Sequence, residues 1–153
     1  MHLLADSLAG QAGVLLELVS ASIAPTLAEF GLTESAFELI STIDAAGPNP
    51  THGLIAQRLG VSPPTLTELV RISRERGWIE QVPSPIDARR KTLHVTEQGR
   101  VALRAVVARV EEVEQEMITS VPAADLAQCR RVLQSVNRNL ARSLANSRSH
   151  LAS

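Results

Sequence analysis

The apolar residues of the chain recur at helical spacing over most of its length, with one short exception near the middle. Before residue 77 and after residue 96 they return every three or four positions, the period of one face of an α-helix. Between these segments, Trp78–Gln81 and Lys91–Val95 are short, and the second places Leu93 and Val95 at alternate positions, as a strand of a hairpin does. The pattern predicts four helices, a β-hairpin and two further helices.

Capping residues set the predicted boundaries of these helices. The first helix covers about residues 3–30, and polar residues suited to N-caps precede the next four: Thr33, Thr51, Ser62 and Thr96. Gly60 and Gly77 end the third and fourth helices, and Pro122 begins the sixth. A short helix, a glycine turn, a second capped helix and a hairpin together make a winged helix-turn-helix.

The flanking helices carry long apolar stripes, which a chain of 153 residues has little core of its own to cover. The stripe of the sixth helix consists of Leu126, Cys129, Leu133, Val136, Leu140 and Leu144. We therefore expect self-association into a homodimer, which presents two recognition helices with two-fold symmetry. The predicted fold class is mainly α: residues 31–96 form a winged helix-turn-helix DNA-binding domain, and residues 1–30 and 97–153 form a helical dimerisation region.

The distribution of charge favours the middle of the chain as a nucleic-acid face. The formal net charge is only −1, but residues 1–57, 58–100 and 101–153 carry −6, +3 and +2 respectively. Phosphate binding depends on the local density of cations rather than on the sum over the chain. The overall acidity is therefore compatible with binding to double-stranded DNA.

Several functional classes are disfavoured by the sequence. The single cysteine excludes a disulfide within the chain and fits a reducing compartment. The N-terminus lacks the cations of a signal peptide, and no apolar run approaches the length of a membrane span. The four histidines have no metal-ligand spacing, and no catalytic constellation is recognisable. We expect a cytoplasmic protein that has no enzymatic activity, no cofactor, no metal and no membrane partner.

Three stretches of the chain resemble the MarR family of winged-helix regulators, the multiple-antibiotic-resistance type. They are Leu32-Thr33…Phe37…Leu39-Ile40 in the second helix, Ile55-Ala56…Leu59-Gly60-Val61-Ser62…Thr65-Leu66-Thr67…Leu69-Val70…Gly77-Trp78-Ile79 in the helix-turn-helix, and Asp87-Ala88-Arg89…Leu93-His94-Val95-Thr96…Gly99 in the wing. The resemblance extends from about Leu15 to Leu144.

The resemblance implies a ligand-responsive transcriptional repressor that binds a pseudo-palindromic operator as a homodimer. The fourth helix is then expected in a major groove and the wing in the flanking minor groove. A small effector, often aromatic or phenolic in this family, is expected where the terminal helices meet the winged helix. The sequence names neither this effector nor the residues that bind it.

The candidate DNA contacts lie on the fourth helix and on the wing. On the helix they are Ser62, Pro63, Pro64, Thr65, Thr67, Glu68 and Arg71. Ser62 and Thr65 are equally suited to capping, and Glu68 is suited either to a cytosine amine or to pairing with Arg71.

The candidate contacts on the wing are Asp87, Arg89, Arg90 and Lys91. The resemblance implies that Arg89 enters the minor groove and that Asp87 steadies the loop by pairing with it. The alternative is a solvated turn of three cations, which the neighbouring helix-turn-helix disfavours.

Two positions on the helices raise separate questions. Ser73 stands where a leucine is usual in the family, and this predicts either a local rotation of the helix or a polar neighbour or pocket that faces Ser73. Cys129 is compatible with a thiol switch, but its place in an apolar stripe favours a core position. Two other classes therefore stay open: a thiol- or metal-switched sensor on the same scaffold, and a winged-helix module that binds a protein.

Overall fold

The computed structural model describes residues 7–87 and 90–151, with side chains described as far as residue 146. Over these residues the chain forms six helices and an antiparallel hairpin: α1 (Leu8–Glu29), α2 (Glu34–Ala45), α3 (His52–Leu59), α4 (Pro63–Glu75), β1 (Ile79–Pro83), β2 (Lys91–Val95), α5 (Glu97–Ile118) and α6 (Ala123–Leu151). The mainly α winged-helix fold predicted from the sequence is confirmed.

The chain divides after Val113 into two compact units, Met1–Val113 and Glu114–Ser153, so that α5 begins in the first unit and ends in the second. The winged helix-turn-helix lies wholly within the first unit. The division into a dimerisation region at residues 1–30 and 97–153 and a DNA-binding domain at residues 31–96 stays a prediction.

The predicted N-caps begin their helices through their own side chains. In each case the hydroxyl oxygen accepts a hydrogen bond from the backbone N–H three residues ahead, at 3.2, 3.4, 3.3 and 3.1 Å for Thr33, Thr51, Ser62 and Thr96. The first strand begins one residue later than predicted and ends two residues later. Trp78 stays outside the ladder because its N–H donates to the Ser73 carbonyl at 3.0 Å, which closes the end of α4.

The core of the first unit lies between the helices and the inner face of the hairpin. Its most deeply buried apolar side chains come from α2, α3, α4, β2 and α5: Leu39, Ile40, Ile55, Leu66, Leu93 and Val106. Trp78 also packs into this core, since its side chain is buried. This core fixes α4 and the hairpin to the same support.

Ser73 occupies a core position of α4. The helix buries Leu66, Val70 and Ser73, whereas Ile72 is exposed, so the helix keeps a regular register. The Ser73 hydroxyl has no hydrogen-bond partner among the described residues. The helix is therefore not rotated to bury Ile72, and the described residues offer the Ser73 hydroxyl no hydrogen bond.

The first helix corrects another expectation. Leu8–Glu29 is long and apolar enough to cross a membrane by length and composition, and it is the one such helix in the described ranges. Its larger apolar residues are interrupted by serines and glycines, but its alanines add to the mean hydropathy of the segment. The C-terminal half of the helix buries Ile23 and Leu27 in the core of the first unit.

The last helix exposes its apolar stripe. Leu140 and Leu144 are 59% and 55% exposed, and Cys129 is exposed as well. The prediction that Cys129 lies in a core was therefore wrong for the single chain. The sequence shows the stripe, but it does not show whether an element of the same chain covers it.

Candidate nucleic-acid interface

The turn of the helix-turn-helix is set by Gly60. This residue ends α3 in the left-handed region, at φ 67°, which glycine adopts without a steric penalty. The Val61 N–H then donates to the Ala56 carbonyl at 3.2 Å, and Ser62 begins α4 two residues after the glycine. The turn therefore directs the start of α4 outward from the core.

The predicted contact residues of α4 are all exposed: Ser62, Pro63, Pro64, Thr65, Thr67, Glu68 and Arg71. The three hydroxyls among them already make local hydrogen bonds. The Ser62 and Thr65 hydroxyls share one at 2.8 Å, and the Thr67 hydroxyl donates to the Pro63 carbonyl at 2.9 Å. Ser62 has the capping role considered for it, whereas the Thr65 hydroxyl bonds to the Ser62 hydroxyl rather than to the backbone. Contact of either residue with DNA stays a prediction.

Arg71 is held between two acidic side chains of its own helix. Its Nε and Nη2 donate to the two carboxylate oxygens of Glu68 at 2.9 and 2.6 Å, and its Nη1 donates to Glu75 at 2.6 Å. The hydrogen bonds and charge of Arg71 lower the pKa of Glu68, and the two carboxylates raise the pKa of Arg71. The three side chains carry a net charge of −1, so this part of the recognition helix is not cationic in the free protein.

The wing is a regular hairpin with an ordered turn. Its strands pair from Ile79 with Val95 to Pro83 with Lys91, and the Ser84 N–H donates to the Arg90 carbonyl at 2.8 Å beyond the last pair. The Asp87 carboxylate lies 3.6 Å from the Arg90 guanidinium. Arg90 and Lys91 are exposed. Arg89, and with it the predicted pairing of Arg89 with Asp87, lies outside the described residues.

The base of the wing is attached to the start of α3. Thr51 forms a β-bridge with Thr92, and the Leu93 N–H donates to the Pro50 carbonyl at 3.0 Å. The side chains of Gln81 and His52 are joined by a hydrogen bond of 2.9 Å. Sequence reasoning missed this attachment, since only the alternation at Thr92 and Leu93 hinted at a buried strand and nothing local pairs it with residue 51.

His52 lies partly buried at the joint between α3 and the wing. Partial burial lowers its pKa below the usual 6.5, and the charge of Lys91 lowers it further. The neutral imidazole is therefore favoured at the joint between α3 and the wing. Protonation of His52 therefore disfavours the folded joint at which α3 is attached to the wing.

The root of the wing is also joined to α5. The Thr96 hydroxyl donates to the Gly77 carbonyl at 2.6 Å, and the Thr96 N–H donates to the Trp78 carbonyl at 3.0 Å. The same hydroxyl caps α5 by accepting from the Gly99 N–H. One threonine therefore connects the end of the recognition helix, the wing and the following helix.

The described residues contain no group of three His, Cys, Asp or Glu side chains that is placed to hold a metal ion. The exposed, largely basic wing and the exposed start of α4 are instead suited to a long polyanion.

The comparisons with known proteins agree with this geometry. Residues 30–90 match the model of the MarR family. No curated protein matches the chain at a significant level.

Three solved structures illustrate the similarity of fold. CouR from Rhodococcus jostii RHA1, bound to p-coumaroyl-CoA, is 23% identical over 89% of this chain and 95% of its own, with a TM-score of 0.72. The S. aureus MepR–DNA complex is 18% identical over 88% and 96%, with a TM-score of 0.76. A MarR-family transcriptional regulator from Rhodococcus sp. RHA1 is 22% identical over 89% and 96%, with a TM-score of 0.70.

Sequence identities below 25% show similarity of fold alone, and the similarity to the MarR family lies in the match of residues 30–90. Both comparisons agree with an architecture in which a capped recognition helix is followed by an attached wing. Residues 30–90 form a winged helix-turn-helix that is similar to the MarR-family model, in a chain whose fold is similar to those of CouR and MepR.

Proposed function

We propose that this protein is a cytoplasmic, homodimeric repressor that binds a pseudo-palindromic operator and responds to a small ligand. The exposed start of α4 enters the major groove, and the wing enters the flanking minor groove. The observation that carries the proposal is the attachment of the wing to α3 through Thr51 and Thr92, because it holds both candidate DNA elements on one support. The exposed cations Arg90 and Lys91 supply phosphate contacts.

The homodimer is supported by two exposed apolar faces. On α1, Leu8, Leu15 and Leu18 recur at helical spacing on one face and are 51%, 43% and 62% exposed, and on α6 the stripe that contains Leu140 and Leu144 faces solvent in the single chain. A second copy covers such faces by burying them against each other, and a two-fold dimer matches the symmetry of a palindromic site.

The response to a ligand is supported by the complex of CouR with p-coumaroyl-CoA. A ligand lowers DNA affinity only when it binds the DNA-free state more tightly than the DNA-bound state. The probe we choose is p-coumaroyl-CoA, with coenzyme A alone as the control. Dissociation of the protein from a labelled duplex by the thioester, and not by coenzyme A, supports an acyl-CoA effector. If the complex with the duplex is unchanged by p-coumaroyl-CoA, this thioester is not the effector.

Selection from a randomised duplex library tests the DNA-binding part of the proposal. We expect enrichment of an inverted repeat whose half-sites are separated by about one helical turn. Fluorescence anisotropy on the selected duplex should then give an affinity that falls steeply as salt is raised. Failure to enrich any sequence over the starting library contradicts a sequence-specific regulator and favours a winged-helix module that binds a protein.

The direction of regulation is tested with a reporter gene placed behind the selected operator. Expression that falls when the protein is present supports a repressor, whereas expression that rises identifies an activator.

A thiol switch is the second candidate, because Cys129 is exposed in the single chain. Its test compares DNA binding by reduced and peroxide-treated protein, in the wild type and in Cys129→Ser. Loss of DNA binding on oxidation in the wild type, but not in Cys129→Ser, supports the thiol switch. If oxidation affects DNA binding equally in both proteins, Cys129 is not a switch.

A further inference from the structure

Ile86 is the most exposed large apolar side chain in the described part of the chain. It is 94% exposed, compared with 67% for Leu16, the next highest value. A single exposed apolar residue is common on protein surfaces and has no meaning by itself. The position of Ile86 is informative because it lies in the turn of the wing, in the same hairpin as the exposed cations Arg90 and Lys91.

The turn holds Ile86 in a defined place. Pro85 precedes it and restricts the backbone, and the Ile86 N–H donates to the Ser84 hydroxyl at 3.3 Å. The ends of the turn are tied together, since the Arg90 N–H donates to the Asp87 carbonyl at 2.9 Å. The side chain of Ile86 is therefore presented to solvent by an ordered backbone, and little conformational entropy remains to be lost when a partner covers it.

The residues beside Ile86 in the hairpin indicate what kind of partner covers its side chain. Arg90 and Lys91 are exposed in the same hairpin and attract phosphates. The walls of the minor groove are formed by deoxyribose, which offers apolar surface, and proteins that bind this groove use apolar side chains, isoleucine among them, as well as cations. A partner that is anionic at its rim and apolar within the groove fits the tip of this wing.

We propose that Ile86 is a DNA-contact residue that packs its side chain against the deoxyribose walls of the minor groove, between the phosphates that Arg90 and Lys91 neutralise. This rests on the proposed placement of the wing on DNA. It assigns to the wing a van der Waals contact in addition to its charges. Such a contact favours sequences whose minor groove has the right width, so Ile86 contributes to shape readout.

The salt dependence of binding separates this contact from an electrostatic one. Each cation that neutralises a phosphate releases counterions, which gives log affinity a negative slope against log salt. An apolar contact releases none. Loss of Ile86 therefore lowers the affinity by the same factor at every salt concentration and leaves the slope unchanged.

The experiment measures anisotropy on the library-selected duplex between low and moderate KCl for the wild type, Ile86→Ser, Ile86→Leu and Lys91→Gln. We expect Ile86→Ser to weaken binding roughly five- to thirtyfold with an unchanged slope, and Ile86→Leu to stay within about threefold of the wild type. Lys91→Gln is expected to make the slope shallower by about one to two. Thermal unfolding of Ile86→Ser should match the wild type, because the side chain is outside the core.

Two results overturn the assignment. If the wild type binds and Ile86→Ser binds equally well, the residue does not touch DNA and its exposure serves a protein partner. If Ile86→Ser changes the salt slope as Lys91→Gln does, the loss is electrostatic rather than apolar. A wild type that selects no duplex contradicts the proposed function itself and removes this contact with it.

Discussion

The α-carbon of Gly99 lies so close to the backbone of Trp78 that a β-carbon on Gly99 would be 2.1 Å from the Trp78 carbonyl oxygen. That oxygen already accepts the N–H of Thr96 at 3.0 Å. The first turn of α5 and the root of the wing are therefore in direct backbone contact, and only a residue without a side chain permits it.

Gly99→Ala is expected to destabilise the protein by about 2–3 kcal/mol, because backbone must move to admit the methyl group. Urea unfolding followed by circular dichroism measures the change. Gly53→Ala is the matched control, since Gly53 lies in α3 and its added β-carbon meets nothing within 4 Å. We expect that control to be stabilising by about 0.5–1 kcal/mol. Equal stabilities of the two variants would contradict the close contact.

Ser73→Ala is expected to raise the free energy of unfolding by about 1 kcal/mol. The substitution removes a fully buried hydroxyl that has no partner among the described residues, and alanine favours the helix. Thr33→Ala removes a hydroxyl that caps α2 and is expected to lower the same quantity by about 1 kcal/mol. A destabilised Ser73→Ala would show that the hydroxyl has a partner, such as an ordered water.

Neutralising both Glu68 and Glu75 is expected to increase binding to random-sequence DNA. The double change to glutamine converts the net charge around Arg71 from −1 to +1 and frees the guanidinium for phosphates. Anisotropy on a scrambled duplex at low salt should show roughly three- to tenfold tighter binding, with a steeper salt slope.

The control for that change is Glu17→Gln with Glu29→Gln on α1, which alters the net charge equally at a distance from the recognition helix in sequence. If both double variants tighten binding by the same factor, the overall charge is responsible and the pairing with Arg71 is irrelevant to DNA binding.

The stability of the protein is expected to fall as the pH drops below about 6.5. The folded protein lowers the pKa of His52 through burial and Lys91, whereas the unfolded chain keeps the ordinary value of 6.5. Between the two values the unfolded chain binds more protons, so stability rises with pH there and is lost as the pH falls towards the folded pKa.

Chemical denaturation at several pH values between 5.5 and 7.5 measures this loss, above the range in which the carboxylates titrate. His52→Gln should show a weaker dependence on pH over the same interval. An identical dependence in both proteins would exclude His52 as the group responsible.

Leu140→Asp is expected to dissociate the proposed homodimer, because it places a charge within the exposed apolar stripe of α6. Sedimentation equilibrium should give a mass near twice 16.4 kDa for the wild type and near 16.4 kDa for the variant. Ser135→Asp, on the opposite face of the helix, should leave the mass unchanged. A monomeric wild type would contradict the dimer directly.

The parts of the structure that the sequence predicted well are set by neighbouring residues. The helices α2, α3, α4 and α5 are capped through contacts three residues away, by Thr33, Thr51, Ser62 and Thr96. The left-handed conformation of Gly60 sets the turn before α4. The pairing of Glu68 with Arg71 is likewise a local contact on one helix face. Such short-range preferences can be recognised in a linear pattern.

The features that sequence reasoning missed depend on distant parts of the chain. The hydrogen bond between His52 and Gln81 joins residues 29 positions apart, and no periodicity indicates it. The exposure of Cys129 depends on what covers an apolar stripe, which the stripe itself does not reveal. Ser73 keeps a core position without a polar partner, although its chemistry argues for one.

The β-bridge between Thr51 and Thr92 has a consequence for how a signal can reach the operator. The bridge restrains movement of the wing relative to α3, so we expect the wing and the helix-turn-helix of one protomer to turn as a single unit. In the proposed homodimer, a regulating ligand then acts on one geometric variable, the distance between these two units. We therefore expect a change in this distance to weaken binding at both half-sites of the operator together, so that neither half-site is released alone.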